Sequence, residues 1–484
     1  MFINNKILVG KNKDASAYLI PKMANRHGII TGASGSGKTV TLKVLAESFS
    51  EAGSPVFLVD VKGDLAGMCK SGVMNDNITE RLKNLGIEDF KLQGFPTVFF
   101  DVYGKNGHPI RTTVSNIGPK LLSRMLNLSD AQEGVLTIVF KISEDEGMEL
   151  VDLKDLRAML TYVGEKRKEY TLKYGNVGLQ SIGSINRNLL TLEEEGGDFF
   201  FGKPSFDVKD FIHYDTNNGY GQISVLHAVE LFQKPTLYAT FLLWLLTSLY
   251  DTMPEVGDLA KPKLVFFFDE AHLLFSEMPD HMIKQIIQIV KLIRSKGIGL
   301  YFISQSPSDI PDEILAQLGN RVQHVLRSYT KSDEKAIKAA ADSFRSNPNF
   351  DTEEVIKSLA TGEALISLQD EDGQPTVVNK FTILPPQSMM GTIDEVARQN
   401  VITTSSLYMK YETKVDDTSA YEKISAKLEA EEVKKDEEKK TATSKKTGKT
   451  KKSKLEKSVD KLSNSAINTI GRKLGNAIFK GLFK

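Results

Sequence analysis

The sequence predicts an α/β fold in which a mostly parallel sheet is flanked by helices. Two observations support this prediction: several short, continuous apolar runs end in polar or turn residues, and helical patterns lie between most of them. Strands of a parallel sheet have such unalternating apolar sequences because helices cover both faces of the sheet. We therefore expect one core sheet, interrupted by a helical insertion and followed by a C-terminal tail.

Five segments are predicted to be strands of this sheet. They are residues 28–31, 56–60, 264–269, 299–304 and 322–326. One helix is predicted over residues 40–51, directly after the first strand. Another is predicted over residues 280–296, where isoleucines and a valine recur at helical spacing.

The composition divides the chain into five parts. Residues 1–71 and 236–400 are predicted to form the two parts of the core, with a largely helical insertion at 72–235. The composition changes after about residue 400, and residues 429–440 and 441–454 are polar or charged without an apolar face, so residues 401–454 are predicted to be a charged, disordered linker. In residues 455–484, apolar side chains recur every three or four positions among lysines, which predicts a basic amphipathic helix.

The composition also excludes several classes of protein. The 62 basic residues balance the 62 acidic residues, so no overall charge field favours nucleic acid. The single cysteine, Cys69, excludes an internal disulfide framework and a cysteine-cluster metal site. No apolar run approaches the ~20 residues of a spanning helix, and the N-terminus lacks the pattern of a signal peptide. We therefore expect a cytoplasmic protein.

The most specific signal is a glycine-rich phosphate loop that follows a predicted strand and opens a helix. Its backbone N–H groups would cradle the phosphates of a nucleotide. The Lys38 ammonium would reach the β- and γ-phosphates, and the Thr39 hydroxyl would bind Mg²⁺. The expected nucleotide-binding residues are Gly32, Ala33, Ser34, Gly35, Ser36, Gly37, Lys38, Thr39 and Val40.

Two consecutive acids end the strand predicted at residues 264–269. Asp269 is expected to bind Mg²⁺, and Glu270 is expected to polarise the attacking water as general base. Water as acceptor makes a small-molecule kinase the least favoured function. The seven histidines show no ligand spacing, so Mg²⁺ is the only metal expected.

Further polar residues follow two other predicted strands at the same edge of the sheet. Gln305 would hydrogen-bond the γ-phosphate and the lytic water, or would merely cap its strand. Asp60 and Asp64 would lie behind the metal or would cap the next helix, and the sequence does not choose between these roles.

These residues resemble the HerA/FtsK superfamily of P-loop motor ATPases, and within it the bacterial HerA-like ATPases of the YjgR type. The resemblance covers roughly residues 1–390. It is closest in residues 25–28 running into the phosphate loop, 60–65, 266–274, 292–297 and 317–324. It implies a RecA-like P-loop NTPase core and a homo-oligomeric ring, usually a hexamer, whose nucleotide sites are completed by arginines of neighbouring subunits.

The resemblance assigns catalytic roles to three arginines. Arg294 resembles the trans-acting arginine, Arg26 the arginine just before the phosphate loop, and Arg321 an arginine carried by FtsK-type sequences. A guanidinium against the γ-phosphate neutralises the charge that develops during hydrolysis. The alternative for each is a solvated or ion-paired surface residue.

Two functions follow from this reading. The first is an oligomeric ATPase that hydrolyses ATP to translocate or remodel double-stranded DNA. ATP is favoured over GTP by the resemblance and by the absence of an N-K-x-D guanine motif. The alternative is an ATP-gated assembly module, whose basic tail acts on a protein partner or an anionic membrane surface. The tail would otherwise dock on the protein itself or bind DNA.

Overall fold

A computed structural model of the chain describes residues 1–446, apart from Asp258 and Glu277. Within this part, twelve strands form one sheet. The strands are β1 (Phe2–Ile3), β2 (Lys6–Lys11), β3 (Ser16–Leu19), β4 (Gly28–Thr31), β5 (Val56–Asp60), β6 (Thr97–Phe100), β7 (Ile223–His227), β8 (Leu264–Phe268), β9 (Ile298–Ser304), β10 (Asn320–Gln323), β11 (Glu363–Ser367) and β12 (Asn379–Ile383).

The sheet has a parallel part and an antiparallel part. Its order is β1-β2-β12-β11-β10-β4-β9-β8-β5-β7-β6, and β3 pairs with β2. All neighbours from β10 to β6 are parallel, whereas the pairs on the other side of β10 are antiparallel. The five predicted strands correspond to β10, β4, β9, β8 and β5, which are adjacent at the centre. The predicted α/β fold with a mostly parallel sheet is confirmed.

The helices cover the sheet and fill the connections between its strands. The α-helices are α1 (Lys38–Glu51), α2 (Asp76–Leu85), α3 (Val114–Met125), α4 (Asp130–Asp145), α5 (Leu153–Glu165), α6 (Arg167–Tyr174), α7 (Leu179–Glu194), α8 (Gly197–Phe200), α9 (Pro235–Thr252), α10 (Ala271–Ser276), α11 (Asp280–Leu292), α12 (Asp312–Leu315), α13 (Lys331–Asp342), α14 (Thr352–Ser358), α15 (Glu395–Thr404), α16 (Tyr408–Tyr411) and α17 (Ala420–Lys446). The 3-10 helices are Pro21–Arg26, Ala66–Cys69, Val208–Phe211, Leu231–Gln233, Ile293–Lys296 and Pro307–Asp309.

Helix α1 is held against the centre of the sheet by aromatic packing. The ring of Phe49 lies 6.2 Å from that of Phe267 in β8 and 5.8 Å from that of Tyr301 in β9. All three side chains are buried, and each contributes about 2 kcal/mol through the apolar surface that it removes from water. This packing holds the C-terminal part of α1 on the sheet, and the short loop 32–37 after β4 places the start of α1 at the carboxyl end of that strand.

The structure changes the boundaries of the predicted insertion at residues 72–235. Strands β6 and β7 lie within this segment, yet they extend the main sheet beside β5. The helices α3 to α8 connect these two strands, so the helical part is shorter than the sequence predicts. Ser224 and His227 interrupt the apolar sequence of β7, so it lacks the continuous apolar run that predicts β5, a strand of the same length.

The structure also corrects the disordered linker predicted at residues 401–454, over the part that it describes. Helices α15, α16 and α17 occupy much of residues 395–446. Leu407, Tyr411 and Ala420 are buried, and Tyr411 packs against Phe206 with a ring separation of 4.7 Å. A few isolated apolar residues therefore anchor this charged segment. A first compact unit ends at Lys423 and a second begins at Ile424.

The basic amphipathic helix predicted at residues 455–484 lies outside the described residues, as does the end of the predicted linker. In the part that the structure describes, no helix combines the length and apolar character needed to cross a membrane.

Candidate functional site

The predicted phosphate loop lies between β4 and α1, as the sequence motif requires. A Cβ atom at Gly32 would approach the His324 Cβ atom to 2.5 Å, and the φ angle of Gly37 is 113°. Both positions therefore need glycine. Gly37 precedes α1 without a capping side chain, so the first N–H groups of this 14-residue helix are left for another acceptor.

The ammonium group of Lys38 is bonded to the loop itself. Its Nζ atom donates to the carbonyl oxygens of Gly32, at 2.6 Å, and Ala33, at 3.1 Å. Burial lowers the pKa of Lys38. A phosphate in the loop would replace these carbonyls as the partner of the ammonium group.

The side chain of His324 packs against the phosphate loop at Gly32, a contact that the sequence does not predict. Its Nδ1 atom lies 2.9 Å from the Glu363 carbonyl oxygen, and its Nε2 atom lies 2.8 Å from the Thr41 hydroxyl. A carbonyl only accepts, so Nδ1–H donates and Nε2 accepts from Thr41. Burial lowers the pKa of His324 to about 4, which keeps the ring neutral. The signal available in the sequence was its place within the strand predicted at residues 322–326.

The two predicted acids follow β8 at the same edge of the sheet. Asp269 is 3% exposed, and its Oδ2 atom has no hydrogen-bond partner among the described residues. Burial raises the pKa of Asp269 to about 6. Glu270 is more accessible, and its φ angle of 49° places it in the left-handed region. This conformation costs a residue other than glycine about 1 kcal/mol.

A lysine that the sequence analysis did not single out lies between these acids. The Lys62 ammonium forms a short ion pair with Glu270 Oε1 and lies 3.7 Å from Asp269 Oδ2. Burial by itself would raise the pKa of Glu270. The hydrogen bond and the positive charge of Lys62 outweigh burial, so the pKa of Glu270 is lowered. On its other side, Glu270 Oε2 lies 3.2 Å from Nδ1 of His272. The sequence signal for Lys62 was its position two residues after the predicted strand 56–60.

Asp60 caps the loop that carries this lysine. Its Oδ1 atom accepts from the N–H groups of Gly63, at 2.7 Å, and Asp64, at 3.2 Å, and its Oδ2 atom accepts from Leu65 N–H at 3.1 Å. These bonds hold the turn before the 3-10 helix Ala66–Cys69, whose N-cap has no side-chain hydrogen bond, and the choice between the two roles for Asp60 stays open. Asp64 Oδ1 is buried and has no hydrogen-bond partner among the described residues.

Gln305 lies at the same edge as the phosphate loop. It follows Ser304, the last residue of β9, which is in register with Thr31 at the end of β4. Its side chain is exposed. The structure therefore brings the phosphate loop, the two acids and Gln305 together at the carboxyl ends of β4, β8 and β9.

The three predicted arginines lie at the opposite edge of the sheet. Arg26 precedes β4, Arg294 belongs to the 3-10 helix before β9, and Arg321 is the second residue of β10. These strands are parallel, so their starts face away from the phosphate loop. The seven residues of β9 span roughly 23 Å. The structure does not bring these arginines to the nucleotide site of their own chain.

The arginines also differ in how firmly they are held. Arg321 donates to the carbonyl oxygens of Leu315, at 3.1 Å, Leu318, at 3.1 Å, and Ser343, at 3.3 Å. Arg294, in contrast, is exposed. These contacts favour a structural role for Arg321, whereas Arg294 presents its guanidinium at the surface.

A cavity of about 790 Å³ lies beside the start of α1. It is lined by Val40, by Arg81 of α2 and by Met389 and Met390, among others. The Arg81 guanidinium lies within 2.5 Å of where a Cβ atom of Gly362 would be, and Gly362 in turn lies against Gly37 of the phosphate loop. The cavity therefore adjoins the phosphate loop, and the sequence analysis did not predict it.

Comparison with known proteins shows which family this chain resembles. The family described as helicase HerA-like C-terminal matches residues 5–484. The DNA double-strand break repair helicase HerA of Sulfolobus acidocaldarius is 24% identical over 371 residues, which cover 74% of this chain and 65% of that protein. The protein of the same name from Sulfurisphaera tokodaii is 25% identical over 390 residues, covering 76% and 67%.

Among solved structures, the bacterial conjugative coupling protein TrwBdeltaN70 is similar with a TM-score of 0.50 and 14% identity, over 80% of this chain and 92% of that one. At this identity, the likeness shows a common fold. The chain spans about two thirds of the length of the HerA relatives that it matches.

Proposed function

Because this chain belongs to the family of helicase HerA-like C-terminal proteins, we propose that it is an oligomeric ATPase that couples ATP hydrolysis to the translocation or remodelling of double-stranded DNA. The observation that carries the proposal is the convergence of the phosphate loop, Asp269 and Glu270 at one edge of the sheet. The relatives from Sulfolobus and Sulfurisphaera are named as DNA repair helicases, and this supports DNA as the polymer.

The site has the donors that a magnesium–nucleotide complex needs. The Thr39 hydroxyl and the Asp269 carboxylate are hard oxygen donors of the kind that Mg²⁺ prefers, and Asp269 Oδ2 has no competing hydrogen bond among the described residues. When bound, Mg²⁺ would neutralise charge on the phosphates. The loop amides and Lys38 hold the phosphates in this proposal.

Glu270 is the proposed general base for the attacking water. It lies next to the metal-binding carboxylate, and its ion pair with Lys62 lowers its pKa and favours the ionised form, which is the form that a general base needs. Gln305, at the end of the neighbouring strand, is exposed and would orient the water by hydrogen bonding. Water is the acceptor in this arrangement, which makes the reaction a hydrolysis.

The cavity beside Val40 is the proposed place for the adenosine of ATP. The loop holds the phosphates, and the chain then turns into α1, so the nucleoside end would leave the loop past Val40. The planar guanidinium of Arg81 can stack on a base, and the flexible side chains of Met389 and Met390 can adapt to one.

The position of the arginines supports action between subunits. Arg294 is exposed at the edge of the sheet that lies opposite its own phosphate loop. In a head-to-tail ring, this edge of one subunit would face the nucleotide site of the next. Arg294 would then stabilise the γ-phosphate of its neighbour and link hydrolysis to relative movement of subunits. Arg26 lies at the same edge and is the second candidate.

The test is the steady-state ATPase rate of the full-length protein with and without linear double-stranded DNA, in low and moderate salt. We expect DNA to stimulate the rate and added salt to weaken the stimulation, since counterions compete for the phosphate contacts. Lys38→Ala is the control for contaminating ATPases. A protein truncated after Lys423, where the first compact unit ends, separates the core from the tail.

Stimulation that survives truncation would support a DNA motor. Stimulation by DNA that is lost on truncation would assign DNA binding to the tail. An ATPase rate that DNA does not change would instead contradict DNA coupling. The alternative, an ATP-gated assembly module that acts through its tail, would then be favoured.

A further inference from the structure

Lys62 occupies the position from which a cation can contact both acids of the site. Its Nζ atom is paired with Glu270 and lies 3.7 Å from Asp269 Oδ2, an oxygen with no hydrogen bond to the described residues. Asp269 and Glu270 are 3% and 11% exposed, so water screens their charges poorly. Two adjacent carboxylates in such a place need a counter-ion.

The loop that carries Lys62 is built rigidly. Asp60 is buried and accepts hydrogen bonds from three consecutive N–H groups, those of Gly63, Asp64 and Leu65. Gly63 has a φ angle of 78°, which allows the tight turn. The backbone of the lysine is thus fixed beside the acids, whereas its side chain is 42% exposed. The ammonium group can therefore leave the carboxylates by a change in the side chain alone, while the backbone of Lys62 stays in place.

An ammonium group and a divalent cation would repel each other at the same pair of carboxylates. Lys38 begins α1 at this same edge of the sheet, so the site already holds two lysines. Added positive charge would therefore be accepted only together with the negative charge of nucleotide phosphates.

We propose that Lys62 is the resident counter-ion of Asp269 and Glu270, and that it excludes Mg²⁺ from these carboxylates until a nucleotide arrives. Lys62 is then a positioning residue, which acts through the two acids. It makes metal binding depend on nucleotide binding. This inference rests on the proposed ATPase function, since it takes Asp269 to be the metal-binding carboxylate.

The experiment measures Mn²⁺ binding to the nucleotide-free, full-length protein by electron paramagnetic resonance. We expect wild-type protein and Lys62→Arg, which keeps the charge, to bind Mn²⁺ weakly. Lys62→Met should bind it about tenfold more tightly or better, because it removes a like charge from the site. Asp269→Asn in the Lys62→Met protein should abolish this gain.

Two further variants guard the interpretation. Lys70→Met removes a lysine of similar exposure that pairs with Asp394, and it should leave Mn²⁺ binding at the wild-type level. Lys62→Gln keeps a polar side chain and replaces Lys62→Met if the melting temperature shows that the methionine variant fails to fold. Mn²⁺ binding by Lys62→Met or Lys62→Gln that equals the wild-type level would overturn the proposal.

The Mn²⁺ measurement involves no turnover, so it is independent of the ATPase test. A wild-type protein without ATPase activity would refute the proposed function while the Mn²⁺ result still reported on Lys62. Tight Mn²⁺ binding by nucleotide-free wild-type protein would also overturn the inference, since Lys62 would then be no barrier to the metal.

Discussion

Mixing two inactive variants tests whether hydrolysis is completed between subunits. Arg294→Ala removes the exposed guanidinium at the starts of the parallel strands, and Glu270→Gln removes the proposed base at their ends. The seven residues of β9 separate these two edges by roughly 23 Å, which is too far for one arginine side chain to span. Each variant alone should therefore bind ATP and fail to hydrolyse it. The two defects lie on opposite sides of the interface between subunits.

Random mixing of the two variants sets the ATPase activity that can be recovered. In a ring assembled at random from equal amounts of the two variants, a complete site needs an Arg294→Ala subunit, which keeps Glu270, beside a Glu270→Gln neighbour, which keeps Arg294. About one quarter of the interfaces meet both conditions, so the mixture should regain up to about one quarter of the wild-type activity.

The assay is the steady-state ATPase rate after the two variants have been mixed, dissociated and reassembled. A mixture of Glu270→Gln with Lys38→Ala is the matched negative control, because both of its defects lie at the same edge and no interface is complete. Activity of the first mixture no greater than that of its separate components would refute action in trans, and with it the reasoning from the two edges of the sheet.

Three further predictions follow from the site. Glu270→Gln should keep ATP affinity and lower kcat about 100-fold or more, as measured by fluorescent-nucleotide binding and steady-state kinetics. Arg81→Ala should raise KM for ATP about fivefold with little change in kcat, whereas Arg187→Ala, an exposed arginine of α7, should change neither. Burial lowers the pKa of His324 to about 4, so the unfolded chain binds this proton more readily. The stabilisation by the neutral ring is complete above about pH 6.5, the ordinary pKa of histidine, and falls by about 2 kcal/mol on going from pH 7.5 to pH 5. Urea unfolding at the two pH values should show that His324→Gln reduces the pH dependence by this amount, and an unchanged dependence would contradict the assignment.

The central sheet and the phosphate site could be predicted because they leave local signals. Buried parallel strands are continuous apolar runs, and a phosphate loop needs glycines and a lysine at fixed spacing, as residues 32–39 have. Strand β7 was missed because Ser224 and His227 break its apolar run. The ordering of residues 401–423 was missed because it depends on single buried side chains such as Leu407 and Tyr411, which no periodicity marks.

The rest of the site could not be predicted because it depends on contacts between distant parts of the chain. Lys62 meets Glu270 across 208 positions of sequence, since β5 and β8 are neighbours in the sheet. His324 supports a loop that lies almost 300 residues earlier, because β10 pairs with β4. Composition and spacing show which residues can bear a charge or donate a proton. The order of the strands in the sheet determines which of these residues contact one another.

The polarity of the parallel sheet is the physical basis for the proposal that this chain hydrolyses ATP efficiently only as an assembly. Every parallel strand has the same direction, so the phosphate loop, the acids and Gln305 collect at one edge, and the residues that precede the strands collect at the other. An arginine placed before β9 cannot serve its own nucleotide, yet it is exposed and available to a neighbour. Because the two edges differ, a contact that brings Arg294 of one subunit to the phosphate loop of the next would be head to tail, and such contacts close into rings or extend as filaments. In a ring of this kind, a nucleotide site would be complete only where Arg294 of one subunit reaches the γ-phosphate bound by the next. Hydrolysis would then be coupled to movement between the two subunits.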